Sequence, residues 1–272
     1  MALIGERSMV AGVLRLLVPA TRSALEDCHT CEARCRSLCG SVSDEHLTEF
    51  ADIAETVRLR PHQRIVTEGD PADHTFNIVS GAAKLVKALP DGRQQIVGFL
   101  LCGDFFGLPV QGAYPYGVEA IGEARLCRFE RTRFEALLRR LPAVETALRE
   151  RLIGDLASAQ EHMLSLGQKS ALERLTGFLL QLSGRAGGLG LSSNPVQLPM
   201  TRADIADYLG LTLETVSRSF GRLRDQGLIA VRGRHEIALE AIDRLKELAQ
   251  GDDETVRVRP TEGEPRCRSA GY

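Results

Sequence analysis

The chain has 272 residues, 43% of them hydrophobic and 26% charged, with a formal net charge of −2. That length is long for one core and comfortable for two domains, and the balance of apolar and charged residues excludes a chain disordered throughout or embedded in a membrane. A near-neutral total does not exclude nucleic acid, because phosphate is bound by local patches: between residues 218 and 235, Arg218, Arg222, Arg224, Arg232 and Arg234 stand against a single acid, Asp225.

Residues 1–44 read as an N-terminal segment. Its apolar stretch, 9–20, is interrupted by Arg15 and preceded by Glu6 and Arg7, which makes a poor export signal and is too short to span a bilayer. A cytoplasmic protein is expected. Thiols stay reduced there, so Cys28, Cys31, Cys35 and Cys39, crowded into twelve residues, read as metal ligands rather than disulfide partners, and a total of seven cysteines is odd. Four thiolates suit zinc as well as iron and sulfide, and His29 among them is a possible nitrogen ligand.

Residues 45–130 show short β-rich runs at 55–60, 75–80, 82–89, 93–100, 117–121 and 125–130, separated by Gly69-Asp70, Ser80-Gly81, Pro90-Asp91-Gly92 and Cys102-Gly103-Asp104. Regular short strands with such punctuation predict an antiparallel barrel or sandwich, and Pro-Asp-Gly between two apolar runs predicts a hairpin. From 131 to 167 the apolar period becomes helical: Leu141, Val144, Leu148, Leu152, Leu156, Ala159, Met163 and Leu166 recur at three- and four-residue steps. A stripe that long calls for a partner, either its own barrel or a second copy, and the helix is expected to join two subunits through Leu141, Leu148, Leu152, Leu156, Ala159, Met163 and Leu166.

Residues 168–250 open with a helix over 172–182 and a Gly/Ser-rich loop over 183–195. Thr201 and Asp204 have capping-box spacing, so a helix over 202–209 is expected to stop at Gly210, with Thr212 capping a second helix that ends at Gly227. On that second helix Leu213, Val216, Phe220 and Leu223 form an apolar side, while Glu214, Ser217, Arg218 and Gly221 lie opposite. A carboxylate can accept from cytosine N4, an arginine can fork onto guanine O6 and N7 and a serine can serve base or phosphate, so Glu214, Ser217 and Arg218 can read bases in a major groove. A hairpin over 228–239 follows, with Arg232 and Arg234 at a tip suited to phosphates. The tail, 251–272, carries charge, Gly, Pro and Cys267 without apolar period and is expected to be disordered.

The run from Met200 to Arg218, MTRADIADYLGLTLETVSR, closely resembles the helix-turn-helix of the Crp/Fnr superfamily, and the Glu-x-x-Ser-Arg of Glu214, Ser217 and Arg218 resembles its oxygen-sensing FNR, FixK and FnrN branch. The similarity extends from about Cys28 to Ala249. It implies an α+β fold with a jelly-roll, cyclic-nucleotide-binding-like barrel, a long dimerisation helix and a C-terminal winged helix-turn-helix. It also implies a homodimeric activator on double-stranded DNA, one subunit per half-site of a TTGAT-N4-ATCAA-type palindrome, in contact with RNA polymerase. The DNA contacts expected are Thr201, Arg202, Thr212, Glu214, Thr215, Ser217, Arg218, Arg222, Arg232 and Arg234.

Cys28-x2-Cys31-x7-Cys39 is similar to the N-terminal pattern of FnrN-like and FnrL-like proteins, and Cys127 sits at the matching position on a late barrel strand. The resemblance implies that these four hold an oxygen-labile [4Fe–4S] cluster. Cys35 departs from the pattern: it could replace Cys39, or the four N-terminal thiols could ligate without Cys127. Cys102 reads as a small buried residue. The stretch 108–117 holds neither arginine nor serine to neutralise a phosphate, so no cyclic nucleotide is expected. Radical enzymes show Cys-x3-Cys-x2-Cys; the order here is reversed and lacks a Gly-rich cofactor loop, so no catalysis is expected.

Overall fold

The computed structural model describes residues 28–109, 111–188, 193–233 and 235–251, so the apolar stretch 9–20, Arg234 and most of the predicted disordered tail, with Cys267, lie outside the described residues. Past the cysteines, two 3-10 turns, Arg34–Arg36 and Leu38–Ser41, lead into helix α1, Asp44–Ala51. Eight strands follow: β1 Ala54–Leu59, β2 Arg64–Val66, β3 His74–Ser80, β4 Ala83–Ala88, β5 Gln94–Leu100, β6 Phe105–Phe106, β7 Gly117–Ala120 and β8 Ala124–Glu130. They form two antiparallel four-stranded sheets, ordered β1-β8-β3-β6 and β2-β7-β4-β5, which is a jelly-roll sandwich. Val57, Leu59, Phe76, Ile78, Val118 and Leu126 fill the space between the sheets. The Pro-Asp-Gly hairpin forms between β4 and β5, with Ala88 opposite Gln94 and the Leu89 N–H donating to the Arg93 carbonyl at 2.8 Å. Strands β2 and β6, of three and two residues, were too short to show as period-2 runs.

The predicted single helix over 131–167 is two helices, α2 Arg131–Arg140 and α3 Pro142–Gln168. Pro142 has no N–H to donate back and so starts a helix but cannot continue one, and Leu141 before it is not helical, at φ −120° and ψ 84°. Helix α4 runs Ala171–Gly188, past the predicted end at 182 and into the predicted loop, where Ser183 Oγ donates to the Ser193 carbonyl at 2.7 Å.

The winged helix comprises α4, β9 Val196–Gln197, α5 Arg202–Leu209, α6 Leu213–Asp225, β10 Ile229–Val231, β11 Glu236–Leu239 and α7 Ile242–Gln250. Thr201 and Asp204 make the capping box of α5, α5 stops at the left-handed Gly210, and Thr212 accepts from the Thr215 N–H at 3.1 Å to cap α6. Its core is built on Leu175, Leu179, Ile205, Leu209, Val216, Phe220, Leu223 and Leu245. Ile96 and Phe99 of the barrel's β5 belong to the same cluster, with the Phe99 and Tyr208 rings 5.2 Å apart.

Candidate DNA-reading face and thiol site

Helix α6 presents Glu214, Ser217, Arg218 and Arg222 to solvent, and an ion pair of 3.4 Å joins Arg218 to Glu214. Both partners are exposed, so the pair adds little stability, but it holds the guanidinium along the face that would enter a groove. Val216, Phe220 and Leu223 point into the core as expected. Leu213 does not: it is 52% exposed, because the first residue of the helix precedes the turn that packs. Arg202 lies over the Phe220 ring, 4.5 Å from its centroid, and this cation–π contact steers it beside the reading helix. Thr201, Thr212 and Arg232 are exposed at the surface and Thr215 is half-buried, while Arg232 pairs with Glu240 at 3.4 Å.

The reading head is tied to the barrel. Lys84 Nζ of β4 donates to Asp204 Oδ1 at 3.0 Å, the Ile96 N–H donates to Asp207 Oδ2 at 3.0 Å, and Gln95 Nε2 donates to the Asp207 carbonyl. Burial alone would raise the Asp204 carboxyl, but the Thr201 hydroxyl and N–H and the Lys84 ammonium hold it below the usual carboxylate value. His162 of α3 stacks on Tyr208 of α5 at 4.1 Å and 3°. Asp104, in the turn between β5 and β6, pairs with Arg151 of α3 and Arg185 of α4.

Along β8 the side chains alternate: Leu126 enters the barrel interior, whereas Cys127 and Phe129 face outward into a second cluster with Leu38, Phe50, Phe134, Leu141, Val144 and Leu148. Cys28 and Cys39 pack against that same cluster. The cysteine segment thus folds over the outer face of β8. Its path is tight: a Cβ on Gly40 would strike the Arg34 carbonyl oxygen, and one on Gly103, which stands at φ +93°, would lie 2.8 Å from the Arg36 carbonyl oxygen. Burial pushes the Cys127 thiol far up, and the nearby Cys31, Cys28 and Cys39 thiols push it further. Burial also raises Cys39, against the opposing effect of Ser37 Oγ at 2.8 Å from its sulfur. Thiols raised this way stay protonated at neutral pH, so a metal that binds them displaces protons.

Thiolates from these two chain segments are a donor set that suits iron and sulfide or zinc. Among the described residues, no three Cys, His, Asp or Glu side chains stand close enough together to hold a metal ion. On the same outer face of the sheet as Cys127, Asn77 Oδ1, Thr75 Oγ1 and Arg125 Nε are buried without a hydrogen-bond partner. Buried polar atoms of this kind are costly in an apolar wall, and their chemistry suits a polar or charged group beside Cys127. Cys35 is exposed, and the Cys102 thiol donates to the Val79 carbonyl at 3.0 Å.

The dimer stripe divides in two. Leu141 and Leu148 are buried in the protomer's own cluster around Cys127 and are not available to a second chain. Leu152, Leu156, Ala159, Met163 and Leu166 are exposed, joined by Ile153 and Leu164, which the stripe did not include. The cleft beside β2, β4 and β7 is about 80 Å³, and its charged lining is mixed in sign: Arg64 stands with Glu68 and Glu119, which pair with Lys87 and Lys84.

Residues 173–248 match the family of the Crp-like helix-turn-helix domain, and residues 56–141 match the cyclic nucleotide-binding domain. The chain is 39% identical over 204 residues to the nitrogen fixation regulation protein FixK of Bradyrhizobium diazoefficiens, covering 75% of this chain and 86% of that one. It belongs to the Crp/Fnr family of DNA-binding transcription regulators. A second relative in that family is the transcriptional activator protein FnrL of Cereibacter sphaeroides, 37% identical over 233 residues, 84% of this chain and 94% of the relative. The solved structure of FixK2 from Bradyrhizobium japonicum superposes with a TM-score of 0.66 at 37% identity, covering 72% of this chain and 97% of that one. The Crp/Fnr fold accounts for the sandwich, the long helix and the winged helix in their observed order, and no helix among the described residues is long and apolar enough to cross a membrane.

Proposed function

We propose that this Crp/Fnr regulator is an oxygen-responsive activator that binds a TTGAT-N4-ATCAA-type palindrome as a homodimer and senses through a [4Fe–4S] cluster on Cys28, Cys31, Cys39 and Cys127. The observation that supports the reading is that Cys28 and Cys39 of the N-terminal segment and Cys127 of β8 pack against one apolar cluster, with Cys31 near enough to act on the Cys127 thiol. When bound, the cluster supplies iron–thiolate bonds that oxygen destroys. The protein's own residues supply the rest. Leu38 and Val42 hold the cysteine segment against Leu141, Val144 and Leu148 at the start of α3. Further along the same helix Leu152, Ile153, Leu156, Met163 and Leu164 offer an apolar face that a second copy would bury. Two reading helices held by one dimer engage both half-sites together, so a modest loss of dimer becomes a large loss of occupancy. Contact with RNA polymerase, in the cytoplasm, completes the activator role.

Anaerobic purification tests this. Iron and acid-labile sulfide with gel-shift binding to the palindrome, both lost in air, are expected; full binding by aerated, iron-free protein refutes it. A second reading is a regulator gated by another effector or by zinc or thiol chemistry. That no three Cys, His, Asp or Glu side chains among the described residues stand at ligating separation favours its metal-free forms, which predict binding that ignores oxygen; binding that follows zinc would single out the zinc form.

A further inference from the structure

Asn77 lies on β3 directly opposite Cys127 on β8, and the two side chains leave the sheet on the same face. Opposed residues of an antiparallel pair have Cβ atoms about 5 Å apart, so the amide of Asn77 reaches the sulfur's surroundings. The neighbours on either side, Phe76 and Ile78, enter the barrel interior, which confirms the direction of Asn77 by alternation. Asn77 is only 5% exposed, and its Oδ1 is buried with no hydrogen-bond partner. An apolar residue would fill this place without an orphan. Arg125, two residues before Cys127 and on the same face of β8, likewise leaves Nε buried and unpartnered, and Thr75, fully buried, leaves its hydroxyl so. Three unpartnered polar atoms on the face that carries Cys127 are a costly arrangement for a wall of the core, and side chains with donors there suit an anion with several acceptor atoms.

We infer that Asn77 is a positioning residue for the cluster, its amide N–H donating to the Cys127 thiolate or to an adjacent sulfide once the thiols are metallated. This rests on the iron–sulfur reading above. Turning the amide by 180° exchanges Oδ1 for Nδ2 and places two donors where an acceptor now stands orphaned. Hydrogen bonds to cluster sulfur withdraw charge and raise the reduction potential, which makes oxidation by oxygen less favourable. Arg125 and Thr75 belong to the same donor shell.

The test compares wild type, Asn77→Leu and Asn77→Thr as full-length proteins reconstituted anaerobically with iron and sulfide. Leucine keeps the volume and removes the donor; threonine keeps an O–H donor. Asn77→Leu is expected to lower the midpoint potential by about 59 mV, equivalent to a tenfold shift of a one-electron equilibrium, and to shorten the cluster's survival in a fixed pulse of air, with Asn77→Thr in between. The metal-free proteins separate this from a structural role: Asn77→Leu should then melt at or above the wild-type temperature, because an orphan has been removed. Equal potentials and survival times in wild type and Asn77→Leu, both carrying iron, overturn the role of Asn77 and leave the cluster reading standing. A wild type that takes up no iron and sulfide overturns both. A metal-free Asn77→Leu that melts well below wild type, with unchanged potential in Asn77→Thr, assigns Asn77 to the fold instead.

Discussion

Asp104 joins the barrel to both helices that carry the reading head, and replacing it with Asn isolates its charge at constant shape. Its side chain is 5% exposed, pairs with Arg151 and Arg185, and accepts the Leu101 N–H at 2.8 Å. Removing one partner of a buried ion pair costs about 3–5 kcal/mol, because the other charge is left unpaired in a poor solvent. Here the stranded charges are Arg151 and Arg185, 27% and 33% exposed, so water recovers part of each. After that screening the expected loss for Asp104→Asn is about 1–3 kcal/mol. Urea unfolding of the metal-free protein at pH 7 should show the midpoint falling with an unchanged slope. Double-mutant cycles with Arg151→Ala and Arg185→Ala should each return a coupling above about 0.5 kcal/mol. An Asp104→Asn variant within about 0.5 kcal/mol of wild type, with no coupling to either arginine, would refute the view that this carboxylate ties the two domains.

Arg218→Ala is expected to cost about 1–3 kcal/mol on the palindrome and to relax discrimination at one base pair, while Arg232→Ala weakens specific and random duplexes alike; equal losses on both duplexes for Arg218→Ala in a gel shift would remove it as a base reader. Leu156, 59% exposed on α3, should accept Glu without loss of fold, and sedimentation of the anaerobic Leu156→Glu protein should show monomer; a retained dimer places the interface elsewhere. The Lys84–Asp204 pair gives a pH dependence. Asp204 is held below its ordinary value of 3.8, so its contribution is present above that value and is lost as pH falls through the depressed one. Lys84, which burial alone would lower, is raised above 10.5 by Asp204 and Glu119, so its contribution is present below that value and lost as pH rises through the raised one. Lys84→Met should therefore destabilise the protein at pH 7 by about 1–2 kcal/mol and weaken the loss of stability below about pH 4; an unchanged acid limb in thermal melts counts against the pair.

The recognition helix was legible because its grammar is local: Thr201, Asp204, Gly210 and Thr212 act within a few residues of themselves, and each cap forms as the spacing required. The hairpin at Pro90-Asp91-Gly92 was legible for the same reason. Long-range partnerships were not. Nothing local distinguishes Leu141 and Leu148, which the barrel buries, from Leu156, which it leaves bare, since all share one helical period. Nor does the sequence say that Asp104 meets arginines 47 and 81 residues away, or that Asn77 faces Cys127. Helix α7 is amphipathic, with Leu245, Leu248 and Ala249 buried, but its nine residues carry only two turns of apolar period and border a tail that has none. The break at Pro142 was visible in principle, because proline closes off the helix before it.

Under the proposed reading, the position of α3 lets a thiol site bias a dimer that it does not touch. The helix has 27 residues, about 40 Å at 1.5 Å per residue. Its first turns are buried with Leu38 and Val42 of the cysteine segment, Arg151 then meets Asp104, and only beyond that point do Leu152, Ile153, Leu156 and Met163 turn outward. Leu38 and Val42 share one buried cluster with Leu141, Val144 and Leu148, so in the proposed reading loosening at Cys28–Cys39 would act on the seat of the whole rod rather than on one side chain. Such coupling is reciprocal in free energy. If metallated thiols favour the paired helices under the proposed reading, then pairing, and the DNA that enforces it, must by the same amount favour metallated thiols, and a regulator already seated on its palindrome holds its sensor more tightly than one free in solution.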